Sequence, residues 1–133
     1  MYKGQLSLIE GELPYQVQAT ALLIGGDLVV MVYGGDKPHV GAVAVSIPRP
    51  SLDDPGVISA TTSVYALVGH KEDELAKKMA DKLASFLNRK VVLTAGIHVD
   101  NITAEGIRAI ENNCIKVMEQ LLKQLEKSSN GSN

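Results

Sequence analysis

The stretch KEDELAKKMADKLASFLN (residues 71–88), followed after Arg89 and Lys90 by VVLTAGI (residues 91–97), decides the fold. Leu75, Met79, Leu83 and the Phe86/Leu87 pair recur every three or four residues, which places them on one face of a helix. Glu72, Asp73 and Glu74 fall in its first turn, where negative side chains complement the helix dipole. Val91 to Ile97 then reads as a buried strand. A helix between two strands normally returns the chain to start a parallel partner, so this helix is a crossover.

Upstream of the crossover the period is two. Ser59 to Val68 holds Thr61, Thr62, Val64 and Tyr65, residues that favour a strand. Gln5 to Glu12 alternates, with Leu6, Leu8 and Glu10 on one face, and Tyr15 to Ile24 alternates with Tyr15, Val17 and Ala19 on one face. Gly25-Gly26-Asp27 marks a tight turn. LVVMVY (residues 28–33) is a continuous apolar run, the pattern of a central strand covered on both faces. Gly34 to Pro38 reads as a hairpin turn into the strand Val40 to Ile47, and the proline-rich Pro48 to Gly56 as a loop.

Downstream, Thr103 caps a second helix with Glu105 in its first turn. Its apolar stripe is Ile107, Ile110, Cys114, Val117, Leu121 and Leu125, widened by Met118 and Leu122. The expected fold is therefore α+β: five strands, a helix, a sixth strand and a last helix, with both helices on one side of a mostly antiparallel sheet. Residues 1–127 form a single domain in this reading, and 128–133 (SSNGSN) a disordered tail.

Composition narrows the function classes. The formal charge is −2, from thirteen Lys+Arg against fifteen Asp+Glu, which leaves no excess of positive charge for a nucleic-acid backbone. Four Tyr and one Phe give few platforms for stacking bases. The single Cys114 excludes an internal disulfide and falls among core positions of the last helix. No apolar run approaches the ~18 residues of a membrane span, and Met-Tyr-Lys-Gly-Gln lacks a signal-peptide core, so the expectation is a cytoplasmic protein with no membrane partner.

Three histidines stand in glycine-punctuated segments: His39 in Gly34-Gly-Asp-Lys-Pro-His-Val-Gly41, His70 in Gly69-His-Lys-Glu-Asp-Glu74, and His98 in Gly96-Ile-His-Val-Asp-Asn101. If the crossover is parallel, all three lie at one edge of the sheet, together with both helix N-termini. Helix N-termini beside Gly34-Gly35 offer N–H groups to a phosphate, with Lys37 and Lys71 as nearby cations. Asp36, Asp73 and Asp100 make a divalent metal on His39, His70, His98 and Asp100 the alternative, although no HxH or HxxxH pair is present. Each element also has a plain structural reading. The glycines can make only a turn, His70 can cap a helix, and His98 can be a satisfied core residue.

On the same three segments, extended to Ala44, Ala76 and Thr103, the chain resembles the LpdD-like prenylated-flavin chaperones, small proteins associated with UbiD-type decarboxylases. The resemblance spans roughly Leu6 to Leu125. It implies a non-catalytic protein that binds prenylated FMN and assists its maturation or its delivery to the decarboxylase. It also implies a fold like that of proteasome assembly chaperones, and a homodimer. The candidate cofactor-binding residues, from motif and placement together, are Gly34, Gly35, His39, Gly41, His70, Lys71, His98, Asp100, Asn101 and Thr103. Two rival readings are a small metal-dependent enzyme using the His/Asp edge and a purely structural accessory subunit.

Overall fold

The computed structural model describes residues 4–67 and 72–131, with side chains of the last helix described as far as Glu126. The elements are β1 (Gln5–Glu10), β2 (Val17–Ile24), β3 (Asp27–Gly35), β4 (Ala42–Pro50), β5 (Ile58–Ala66), α1 (Glu72–Leu87), β6 (Val91–His98) and α2 (Ala104–Gly131). They match the expected order. The helix runs on to Gly131, so the break expected at residue 128 does not occur there.

The six strands form one sheet in the order β1-β2-β3-β6-β4-β5. The β3–β6 pair is parallel and the other four pairings are antiparallel. This order corrects the expected β3–β4 hairpin. β6 lies between β3 and β4, so residues 36–41 do not turn back on β3 but cross over the end of β6. Asp36 and Lys37 N–H groups donate to the His98 carbonyl on the β3 side, at 2.7 and 3.2 Å. Gly41 N–H donates to the Ala95 carbonyl on the β4 side, at 2.9 Å.

Two glycines make that crossing possible. A Cβ on Gly96 would lie 1.7 Å from the His39 carbonyl oxygen, and a Cβ on Gly35 would lie 2.2 Å from that of His98. Gly35 also holds φ at +78°, a value that side-chain-bearing residues avoid.

β4 runs through Pro48 and Pro50, which the sequence reading assigns to a loop. The register explains the difference. β4 pairs with β6 only as far as Ser46↔Val91, whereas its pairing with β5 continues to Pro50↔Ile58. Past Ser46 the strand has one free side, where proline loses no ladder bond.

Both helices cover the same face of the sheet. α1 packs on β4, β5 and β6, while α2 packs on β1 and β2. The core between them comes from alternate strand residues such as Val17, Val30, Val32, Ala44, Leu93 and Ala95, met by Leu83 from α1 and by Val117 and Leu121 from α2. Small alanines in the strands let the helices sit close. Of the expected α2 stripe, Ile107 is 46% exposed and only its later members are core. The buried Ser46 hydroxyl is satisfied by Thr62 at 2.8 Å, and Thr62 in turn donates to Asp81 of α1 at 3.1 Å.

Only one face is covered, which corrects the expectation that β3 is buried on both. Val30 and Val32 are fully enclosed, while Val29, Met31 and Tyr33 on the other face are partly open.

Candidate functional site

β3 and β6 run parallel to a common end, and the 36–41 crossover caps it. His39 and His98 both lie there, on opposite sides of the crossing. His70 and Lys71 lie outside the described residues. Among the described residues two histidines stand at this edge, each tied to its own carboxylate.

His39 is placed by its backbone, whose N–H points at the Gly96 carbonyl at 3.5 Å. Its Nδ1 lies 3.0 Å from the Lys37 carbonyl and its Nε2 lies 3.2 Å from Glu72 Oε1. Glu72 is the first residue of α1, where the positive end of the helix dipole favours its negative charge. It is also buried, at 8% exposure, and its second oxygen Oε2 has no hydrogen-bond partner among the described residues. A buried carboxylate oxygen left without a donor is costly, so this atom is the least satisfied point of the edge. The methylene and carboxyl of Glu72 lie against Gly41, which leaves them the necessary space.

On the other side, His98 Nε2 lies 2.9 Å from Asp100 Oδ1, and Lys37 Nζ lies 3.2 Å from Asp100 Oδ2. The hydrogen bond from His98 and the Lys37 ammonium hold the Asp100 carboxyl below its ordinary pKa of 3.8. All three side chains are open to solvent. Asp100 N–H donates to Asp36 Oδ2 at 3.3 Å, which closes the crossover onto the strand end. Asn101 follows with φ at +52°, a left-handed turn that asparagine tolerates, and directs the chain into α2.

Thr103 caps α2 as the sequence predicts: its Oγ1 accepts the Gly106 N–H at 3.0 Å. The earlier N–H groups of that first turn have no intrahelical acceptor. The Gly34-Gly35 segment differs from the phosphate loop considered for it. Gly35 N–H is taken by the Gln16 carbonyl at 3.0 Å, and the next two by His98. Gly34, Gly35 and Gly41 thus serve backbone packing.

Among the described residues no group of three or more His, Cys, Asp or Glu side chains is placed to hold a metal ion. Of the expected set His39, His70, His98 and Asp100, His70 lies outside the described residues, and His39 and His98 face different carboxylates, Glu72 and Asp100. Cys114 is buried in the core, and burial pushes its thiol pKa up to about 12, which removes it as a nucleophile. Among the described residues no helix is long and apolar enough to cross a membrane.

Sequence reasoning named most of this edge but missed the pairing of Glu72 with His39. An acid in a helix first turn reads as a solvated dipole complement. Only the crossover brings His39 against it. It also missed Asn113, mid-helix in α2, whose side-chain amide donates to the Tyr15 carbonyl at 2.8 Å and anchors the β1–β2 connection.

The comparisons with known proteins agree with one another. The family model of the prenylated flavin chaperone LpdD-like domain matches residues 11–126. Protein LpdD of Lactiplantibacillus plantarum is 30% identical over 112 residues, covering 84% of this chain and 79% of that protein. The solved structure of a chaperone complex for yeast 20S proteasome assembly superposes with a TM-score of 0.57 over 92% of this chain and 94% of the other, at 16% identity, and so shares the fold. The chain belongs to the LpdD-like family of prenylated flavin chaperones.

Proposed function

We propose that this chaperone binds prenylated FMN, assists its maturation or its delivery to a UbiD-type decarboxylase in the cytoplasm, and acts as a homodimer. The family match over residues 11–126 carries the reading. The protein is a non-catalytic accessory, and the chemistry belongs to the enzyme it serves.

The edge of β3 and β6 suits such a ligand in its donor set. Glu72 Oε2 is a buried acceptor with no hydrogen-bond partner among the described residues, the complement of an imide N–H on a flavin ring. The N–H groups of the α2 first turn beside Asn101 and Thr103, with Lys37, suit a phosphate. His98 and Asp100 are 41% and 51% exposed and stand where a ring or ribityl chain can reach them. His39 orients Glu72. His70 and Lys71 adjoin Glu72 in the chain and belong to the same candidate set. Gly34, Gly35 and Gly41 contribute by shaping the crossover rather than by touching the ligand.

Purified protein mixed with prenylated FMN and passed through gel filtration should carry the cofactor's absorbance in the protein peak. Glu72→Gln and His98→Asn should each reduce that retention with an unchanged circular dichroism spectrum. Elution of all the absorbance as free small molecule would show the reading to be wrong.

A further inference from the structure

We infer that the groove between α1 and α2 binds a free, single-chain anionic amphiphile, an apolar chain of medium length that ends in a carboxylate or phosphate. The groove shares no residue with the edge of β3 and β6, and the inference owes nothing to the cofactor.

The groove follows from the sheet order. α1 covers β4, β5 and β6 and α2 covers β1 and β2, so the seam between the helices falls over β3. Along that seam they leave a cavity of about 300 Å³ that opens to solvent. The α1 wall is Leu75, Lys78, Met79 and Lys82, spaced i, i+3, i+4 and i+7. The α2 wall, Glu111, Cys114, Ile115 and Met118, repeats that spacing. Each wall is thus two turns of helix, or ~10 Å.

The inside is apolar and adaptable. Met79, Cys114 and Met118 are buried and make the floor, while Leu75 is half-buried and Ile115 is 57% exposed at the lip. Elsewhere the core is closed by Leu83, Leu93, Val117 and Leu121, all fully buried. A close-packed interior leaves few voids larger than a water, so a space of this size between the two helices is a feature to explain. Two flexible thioethers suit a floor that must fit a ligand when it is present and relax when it is not. At the ~30 Å³ that a water occupies, the cavity takes roughly ten heavy atoms. One chain fits; a flavin nucleotide is far larger. A partner helix, ~10 Å across, would rest on the groove without entering it.

Charge selects the head group. Lys78 and Lys82 stand one turn apart on the same wall, with their apolar stems along the cavity and their ammonium groups free to reach its mouth. Like charges at this spacing repel each other, and among the described residues neither is in an ion pair. An anion between them relieves that repulsion. Glu111, on the opposite wall, is also outside any ion pair among the described residues, so the anionic head is drawn to the α1 side.

Calorimetric titration of the full chain with decanoate should show one site per chain. Decyltrimethylammonium, the same chain with the opposite head, should bind about tenfold more weakly or worse. Lys78→Gln combined with Lys82→Gln should weaken decanoate by about 3- to 30-fold and abolish the preference between the two heads. Cys114→Phe fills the floor and should remove uptake; if that variant fails to fold, the surface lysine pair decides alone. In protein carrying ¹³C-methyl methionine, decanoate should shift the Met79 and Met118 signals and leave Met31, on the other face of the sheet, unmoved. Phosphatidylglycerol vesicles should not carry the protein upward in a flotation gradient, since the groove holds one free chain and not a bilayer lipid. Absence of decanoate binding, equal affinity for the two heads, wild-type binding by the lysine variant or by a folded Cys114→Phe, shifts at Met31 alone, or flotation with the vesicles would each overturn the inference.

Discussion

Replacing Gly96 by alanine tests the crossover directly. A Cβ there would sit 1.7 Å from the His39 carbonyl oxygen, 2.4 Å from its carbon and 3.1 Å from Gly41 nitrogen. All three are backbone atoms, so no rotamer change relieves the clash and the 36–41 segment must lift away from β6. Lifting breaks the bonds from His39 and Gly41 N–H to Gly96 and Ala95, roughly 0.5–1.5 kcal/mol each. It also withdraws His39 from Glu72, whose buried carboxylate then loses its partner at a further cost of about 1–3 kcal/mol. The sum is about 2–6 kcal/mol, which at ~3–4 °C per kcal/mol for a chain of this size lowers Tm by roughly 6–24 °C. Urea unfolding followed by circular dichroism measures it. Gly26→Ala is the control, because its Cβ meets only the Arg89 guanidinium at 4.0 Å, and it should stay within about 0.5 kcal/mol of wild type. If Gly96→Ala unfolds at the same urea concentration as Gly26→Ala, residues 36–41 do not cross the end of β6 as described.

His39→Ala should destabilise by about 1–3 kcal/mol, and Glu72→Met in the same chain should recover part of the loss, because it removes the orphaned charge. A double-mutant cycle in urea reads the coupling, and strict additivity would mean the pair does not interact. The Asp100 carboxyl should titrate below 3.8 in a ¹³C NMR experiment, and Lys37→Met should move its midpoint up toward that value. Because the folded pKa is the lower one, this group's contribution to stability is complete above the unfolded pKa and is lost as the pH falls through the folded value. Acid, not base, weakens it. Cys114, with its thiol pushed up to about 12, should resist a thiol reagent at pH 8 in the native protein and react at once in urea. Rapid native labelling would show that α2 does not pack as described.

The elements were legible because each is encoded locally. The 71–88 stripe, the alternation of Val17, Ala19 and Ala21, and the Thr103 cap each need only neighbours in sequence. The direction of β6 was legible too, since a helical crossover makes a parallel strand the default. What was not legible depends on segments far apart. Gly34-Gly35-Asp36 carries an ordinary turn signal, and nothing near it records that β6, made some 55 residues later, will occupy the place a hairpin partner would take. The same insertion hides the His39–Glu72 contact. The prolines of β4 misled for a related reason: a free strand side tolerates them, and which side is free depends on where β6 ends. The apolar run of β3 has the pattern of a strand enclosed on both faces. The chain by itself encloses one, and the open face of the sheet accounts for the rest of the pattern.

The position of β6 also sets the order in which the molecule can assemble. Before β6 joins, the antiparallel pairs β1-β2-β3 and β4-β5 have no strand contact with each other. Each can form from nearby sequence as the chain leaves the ribosome. They become one sheet only when the last strand enters between them, forming a parallel ladder on one side and an antiparallel ladder on the other. Such late, distant pairing is the slow kind, and until it is complete two sheet edges stand unpaired. A chain released short of residue 91 should therefore yield two half-sheets that associate with other chains rather than a smaller version of the fold.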